Sequence, residues 1–328
     1  MSKGKILLID VYPDVPYRVC KDLAGGYGTG NDFGAGLFPG LLKRVVKHSI
    51  NFPQIQLLQI AAILRDQGYS VEYTQDESAD TSDVFACIFA SSIVAHETEV
   101  QAIKNCACKI KYVVGIFAQQ YKALYEKSGG FVVPEEAEAF FQEVDLSTFP
   151  DFPRKRYYVE DLDSLPFPAW DIFLKNYSLS NLFVKRGLTI PIYATKGCPY
   201  SCSFYCTYPL QQGKKVRNRS VNNIILEIEY WKSQGVDNFL FRDPVFSINK
   251  KHTIELARAL IERKLNINYM VETHLNNVDE TMAALLSESG LQLVYVGVES
   301  VDSAVLEDMK RFSLEKETEA EKIKMLRS

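Results

Sequence analysis

Ala194-Thr-Lys-Gly-Cys-Pro-Tyr-Ser-Cys-Ser-Phe-Tyr-Cys-Thr-Tyr-Pro-Leu210 holds three of the seven cysteines of the chain, Cys198, Cys202 and Cys206. Thiolates are soft donors that suit zinc or iron–sulfur clusters. Three on one short loop can hold a four-iron cluster and leave one iron without a protein ligand, open to an exchangeable group. Gly197 and Pro199 put the first cysteine in a turn. A lone free cysteine is usually a small buried hydrophobe, but three within nine residues beside Gly and Pro read as ligands. A structural zinc site is the alternative. It wants a fourth ligand, and the next histidine is as far away as His252.

On either side of the loop the chain alternates strand and helix. Leu188 to Thr195 is an apolar strand that leads into it. Ser220 reads as an N-cap with Asn223 at the third helical position. Ile224, Ile225, Ile228 and Trp231 form the apolar stripe of that helix, which stops at Gly235. Asn238–Phe241, Ile267–Glu272 and Leu291–Val298 read as strands, and Thr253–Arg263 and Glu280–Ser289 as helices. Four strand–helix units in succession predict a βα barrel or part of one, with its site at the C-terminal strand ends. Cys198 onward, Asp243, Glu272 and Glu299 all fall at such ends.

Toward the N-terminus the pattern is also α/β. Lys5–Asp10 is a short apolar run ending in an acid, as in a buried parallel strand. The glycine-rich stretch from Asp22 to Gly40 predicts an irregular loop, and it does not match a dinucleotide fingerprint. A helix over Gln54–Gly68, strands over Tyr69–Thr74, Val84–Ala90 and Tyr112–Phe117, and a helix over Glu97–Lys104 predict a doubly wound, mainly parallel sheet. Four prolines between Phe149 and Trp170 mark a linker, in which Arg154-Lys-Arg156 reads as a solvated face. The expected division is therefore 1–148, a linker over 149–187, and 188–328.

Composition limits the function classes. A net charge of −4 and a pI near 5.7 give no electrostatic reason for a nucleic-acid partner. No stretch approaches the roughly 20 apolar residues of a membrane span, and the N-terminus does not read as a signal peptide. A cytoplasmic protein is expected, whose cysteines are ligands or buried thiols rather than disulfides.

Lys196-Gly-Cys-Pro-Tyr-Ser-Cys-Ser-Phe-Tyr-Cys206 resembles the cluster loop of radical S-adenosylmethionine (SAM) enzymes, most closely the subgroup with an N-terminal cobalamin-binding-like domain. The resemblance implies a Rossmann-like, B12-binding-like domain followed by a partial TIM-like radical SAM barrel. It implies a [4Fe-4S] cluster on Cys198, Cys202 and Cys206, with SAM chelating the fourth iron. The usual spacing puts two residues between the last two cysteines; here Ser203, Phe204 and Tyr205 intervene, so Cys206 is one position late. By resemblance, Tyr205 packs near the adenine and Asp243 lies where the amino group of SAM is held. Tyr295-Val-Gly-Val-Glu-Ser300 is similar to the fourth-strand motif, placing Gly297, Glu299 and Ser300 against SAM. Asp163-Ser-Leu-Pro-Phe-Pro-Ala-Trp-Asp171 resembles the interdomain connector.

In the N-terminal half, Ser91 resembles the serine motif of the cobalamin domains and Gly115 the first of their paired glycines; Ile116 replaces the second. No histidine occurs between Asp10 and Gly40, where the cobalt-ligating motif would fall. Either cobalamin binds without a histidine ligand, or the domain is an emptied scaffold. The plain alternative for Ser91 and Gly115 is a strand-end turn. The resemblance further implies reductive SAM cleavage, methyl transfer if cobalamin is present, and an electron donor such as flavodoxin or ferredoxin. Only four of the usual six barrel units fit this sequence, so an open edge, self-association and slow SAM cleavage are expected. A non-catalytic iron–sulfur relative and a zinc-stabilised scaffold are the rival classes.

Overall fold

A computed structural model describes residues 2–23, 26–47, 52–177, 179, 187–202, 206–311 and 316–327. The chain forms two compact units, Met1–Leu179 and Ser180–Ser328. Among the described residues no helix is long and apolar enough to cross a membrane.

The first unit contains β1 (Lys5–Ile9), β2 (Arg18–Cys20), β3 (Thr29–Asn31), α1 (Leu37–Lys47), α2 (Ile55–Asp66), β4 (Ser70–Thr74), β5 (Ala86–Ala90), α3 (His96–Asn105), β6 (Lys111–Val114), α4 (Ile116–Gln120), α5 (Lys122–Glu126), β7 (Phe131–Val132), α6 (Ala137–Glu143) and α7 (Trp170–Leu174). Its main sheet is wholly parallel, in the order β4-β1-β5-β6-β7. β5 is buried at every position, because helices cover both faces and leave no polar side to a central parallel strand. The order reverses between β1 and β5, so the switch point of the sheet lies there.

Residues 26–40 hold more regular structure than their glycines predict, in β3 and the start of α1. β2 and β3 pair antiparallel, and α1 begins at Leu37. Apolar residues at 37, 38, 41, 42, 45 and 46 repeat with helical period, a signal obscured by Pro39 and Gly40. β6 ends at Val114 rather than Phe117, since Gly115 takes φ +115° and α4 starts behind it.

Residues 149–177 pack onto the first unit. Ala169 N–H donates to Leu58 O at 3.0 Å, and Arg65 grips the Asp171 carboxylate at 2.8 and 2.9 Å. Trp170 is fully buried. Phe149 and Phe152 join Tyr112, Phe131 and Phe140 in an aromatic cluster. The prolines therefore shape a strap along this unit, and the compact body runs to Leu179.

The second unit contains β8 (Leu188–Ile192), β9 (Thr195–Lys196), α8 (Tyr208–Gln212), β10 (Arg217–Asn218), α9 (Val221–Ser233), β11 (Val236–Phe241), α10 (Lys250–Glu262), β12 (Asn268–Thr273), α11 (Glu280–Glu288), β13 (Leu291–Val296), α12 (Ser303–Asp308) and α13 (Lys316–Arg327). Its main sheet is parallel in sequential order, β8-β11-β12-β13, as a barrel wall requires. The Ser220 hydroxyl accepts from Asn223 N–H at 3.1 Å, so the expected N-cap of α9 is present. β13 stops at Val296, before Gly297 and the left-handed Glu299 (φ 63°). α13 docks through Lys322, whose ammonium donates to Leu275 O and Val278 O at 2.8 and 2.9 Å.

Candidate metal and cofactor site

Backbone pairing closes the base of the cysteine loop. β9 pairs antiparallel with β10, Lys196 opposite Arg217 and Thr195 opposite Asn218. Gly197 N–H donates to Gln212 Oε1 at 3.0 Å, Cys198 N–H to Gly213 O at 3.1 Å, and Arg217 Nη2 to Gln212 O at 2.9 Å. A Cβ on Gly197 would lie 2.1 Å from Lys215 O, and its φ is +94°, so the turn into Cys198 admits only glycine.

Cys198 is buried, while Cys202 and Cys206 are half-buried. Cys198 lies in the electrostatic field of Cys206 and Cys202, and Cys206 in that of Cys202. Burial pushes Cys198 up to about 11, with Cys206 and Cys202 adding to it and Arg311 opposing. Cys206 is also raised, chiefly by burial. Among the described residues no three Cys, His, Asp or Glu side chains close around a single ion. The electrostatic coupling of Cys198 to Cys202 and Cys206 places the three thiols on the same side of the unit. Tyr205 lies outside the described residues.

Arg311 ties this loop to the end of β13. Its guanidinium donates to Gly297 O at 2.5 Å and stands 3.6 Å from Glu299 Oε1 and 3.9 Å from Cys202 Sγ. A Cβ on Gly297 would meet Glu299 Oε1 at 2.5 Å and Arg311 Nη2 at 2.8 Å, so glycine there leaves room for the ion pair. Ser300 Oγ accepts from Asp302 N–H at 3.0 Å and shapes the turn into α12. Glu272, on β12, completes the group. Burial raises its carboxyl, Arg242 and Tyr208 act against that, and Glu299 adds to it. Cys206 in turn feels Glu272. The ends of β11, β12 and β13 bring Arg242, Glu272 and Glu299 to the side of the cysteine loop, and Arg311, beyond α12, adds a second cation there. Nothing in the local sequence marks Arg242 or Arg311; their roles come from contacts distant in the chain.

Asp243 is placed differently from the other strand-end residues. It is fully buried, and its carboxylate accepts from the backbone N–H groups of Ala194 (3.2 Å) and Thr195. It anchors the chain where β8 gives way to the loop. Burial raises it from 3.8 to about 6 despite those N–H donors. The folded unit therefore holds a proton between those values that the unfolded chain releases. This contribution to stability is present below about pH 4 and is lost as pH rises through about 6, a change of roughly 3 kcal/mol. Denaturant unfolding between pH 4 and 7, followed through Trp231, is expected to show that slope, and Asp243→Asn to lose it. An unchanged slope in Asp243→Asn would assign the proton to another group.

Ser91 and Gly115 meet in the first unit. Ser91 Oγ accepts from Ala118 N–H at 3.0 Å, its carbonyl accepts from Gln54 Nε2 at 2.9 Å, and a Cβ on Gly115 would stand 2.7 Å from Ser91 Oγ. They form the packed turn beyond β5 and β6. Beside them, at the switch point, lies an ion cluster that the sequence does not announce. Lys21 Nζ contacts Asp10 Oδ1 and Glu99 Oε1, each at 2.9 Å, Ala90 O at 3.0 Å and Val11 O at 3.3 Å. All three side chains are fully buried. Tyr73 donates to Asp10 at 2.8 Å and Tyr125 to Glu99 at 2.6 Å. Burial works against the ammonium, but Asp10 and Glu99 outweigh it and hold Lys21 above its ordinary value.

A profile of the radical SAM superfamily matches residues 192–327. The match spans the strands, helices and cysteine loop from the end of β8 to α13. An uncharacterized methyltransferase of Pyrococcus horikoshii is 29% identical over 154 residues, 46% of this chain and 32% of that protein. Cytidylyl-2-hydroxyethylphosphonate methyltransferase of Streptomyces wedmorensis is 30% identical over 178 residues, 51% of this chain and 32% of its own length. The matches thus span about a third of these relatives. The radical SAM methyltransferase TsrM of Kitasatospora setae, solved with tryptophan and aza-SAM, superposes with a TM-score of 0.66 at 16% identity, over 98% of this chain and 65% of that one. The matched segment begins at the last residue of β8 and contains the cysteine loop, Glu272, Glu299 and Arg311.

Proposed function

We propose that Cys198, Cys202 and Cys206 hold a [4Fe-4S] cluster whose open iron takes SAM, and that the chain serves reductive SAM cleavage. The observation that carries this is the joining of the three-thiol loop to the β13 end through Arg311, inside the segment that matches the radical SAM superfamily profile. The donor set fits the group. Three thiols lie on the same side of the unit and a guanidinium stands beside them to offset anionic charge. When bound, the cluster supplies one electron to the sulfonium of SAM, releasing methionine and a 5′-deoxyadenosyl radical. Glu299 and the backbone at Gly297 and Ser300 hold the polar parts of SAM. Tyr205 takes the adenine, as the family pattern implies. Asp243 acts as a positioning residue that fixes the start of the loop. The electron comes from a small donor such as flavodoxin or ferredoxin.

Methyl transfer is the outcome favoured by the names of the relatives. For cobalamin, the switch-point crevice of the first unit does not fit a ligand. Lys21, Asp10, Ser91 and Ser92 fill it without solvent exposure, and the Lys21 amine is consumed by its partners. A cobalamin on this unit would draw its contacts from residues other than these buried side chains. Anaerobic reconstitution tests the proposal. Iron and sulfide near four per chain are expected, with a spectral change of the reduced cluster on adding SAM and 5′-deoxyadenosine under dithionite. Zinc in place of iron would favour the scaffold reading. A cluster blind to SAM would favour the non-catalytic one.

A further inference from the structure

The four cysteines outside the cluster loop include a second group of thiols. Cys87 is the second residue of β5, Cys106 directly follows α3, and Cys108 is two residues on. Cys87 and Cys106 Sγ are 3.6 Å apart. Cys87 and Cys108 are buried, whereas Cys106 is half-buried and lines a cavity of about 250 Å³. Thr81 Oγ1 stands 3.5 Å from Cys106 Sγ. The cavity floor is apolar, Ile9 and Phe89, and its wall carries Asp76 and Glu77.

We propose that Cys106 and Cys87 form a peroxide-reactive thiol pair, with Cys106 as the attacking thiol and Cys87 as the resolving one. The cavity gives a small molecule access to Cys106 and none to Cys87. Two carboxylates in its wall disfavour anionic reagents such as glutathione disulfide and leave neutral hydroperoxides as the class admitted. The protonation states agree with these roles. The contact with Cys87 lowers Cys106 to about 6 against its burial, and Thr81, the Cys108 N–H and Lys111 help. The same contact, followed by burial, holds Cys87 protonated.

The chemistry balances with one hydroperoxide. Cys106 thiolate attacks the terminal oxygen; the S–O bond forms, the O–O bond breaks, and hydroxide or alkoxide leaves and takes up a proton. Sulfur is oxidised by two electrons and the peroxide reduced. Cys87 sulfur then attacks Cys106 sulfur. The S–S bond forms, the S–O bond breaks, and water leaves with the Cys87 proton. A 3.6 Å separation leaves a short closure to the bond length of about 2.05 Å.

The test is peptide mapping of the full chain after brief anaerobic exposure to hydrogen peroxide at pH 7. A cross-linked pair of peptides bearing Cys87 and Cys106, lighter by two hydrogens and restored by a dithiol, is expected. Cys108→Ser should keep the cross-link. Cys87→Ser should instead stop at sulfenate and sulfinate on Cys106. In untreated wild-type protein, iodoacetamide should label Cys106 at least threefold faster than Cys108, the order expected for an accessible thiolate. A cross-link to Cys108, or a Cys106 that stays a thiol while Cys108 reacts, would overturn the assignment.

Discussion

Alanine at position 206 is expected to leave the reconstituted chain without most of its iron, its sulfide and its broad visible absorbance. The loop places Cys206 one residue later than the family spacing. In the fold, though, its thiol lies close enough to Cys202 to feel its charge and shares Arg311 with it. Losing one of three thiolates leaves two protein ligands for a group that needs three. Cys198→Ala should do the same. Arg311→Ala should weaken loading by roughly tenfold, the scale of a residue that supports a ligand rather than being one. Full iron and sulfide in Cys206→Ala would remove it from the ligand set and shift the search to residues 203–205.

Lys21→Met is expected to destabilise the first unit severely. Methionine keeps most of the stem volume but removes the one cation shared by Asp10 and Glu99, both wholly buried. Breaking such a pair costs about 3–5 kcal/mol, a large part of the 5–15 kcal/mol typical of a whole domain. Adding Asp10→Asn and Glu99→Gln should restore much of the loss, because neutral partners no longer need the ammonium. The chain has two tryptophans, and they fall one per unit, Trp170 and Trp231. Single-tryptophan versions therefore read the units separately in urea. A loss below about 1 kcal/mol in the Trp170 transition would show that water reaches the carboxylates.

Much of this architecture is legible in the sequence because apolar periodicity is local. β5 reads as a buried strand from its own five residues, and α9 from its cap and stripe. The cysteine loop is legible because its ligands lie within nine residues. Contacts that join remote segments are not legible. Lys21 directly precedes the glycine-rich stretch and gains its meaning from Asp10 and Glu99. Arg311 gains its meaning from Cys202 and Gly297. Asp243 has the right address for a ligand contact, yet its carboxylate faces the backbone of Ala194 and Thr195, an orientation that a strand-end position alone does not fix.

The closed base of the cysteine loop bears on how the iron arrives. Zinc fingers fold only around their metal, so chelators denature them. Here the rungs between Thr195–Lys196 and Arg217–Asn218, with Gln212 and Asp243, are made by protein alone. These contacts tie down the base of the loop through protein atoms alone. A chelator is therefore expected to bleach the protein while leaving the Trp231 unfolding transition in place. Iron would be cargo seated late on a finished frame, and a chain starved of it in the cell would persist as a folded, refillable apoprotein.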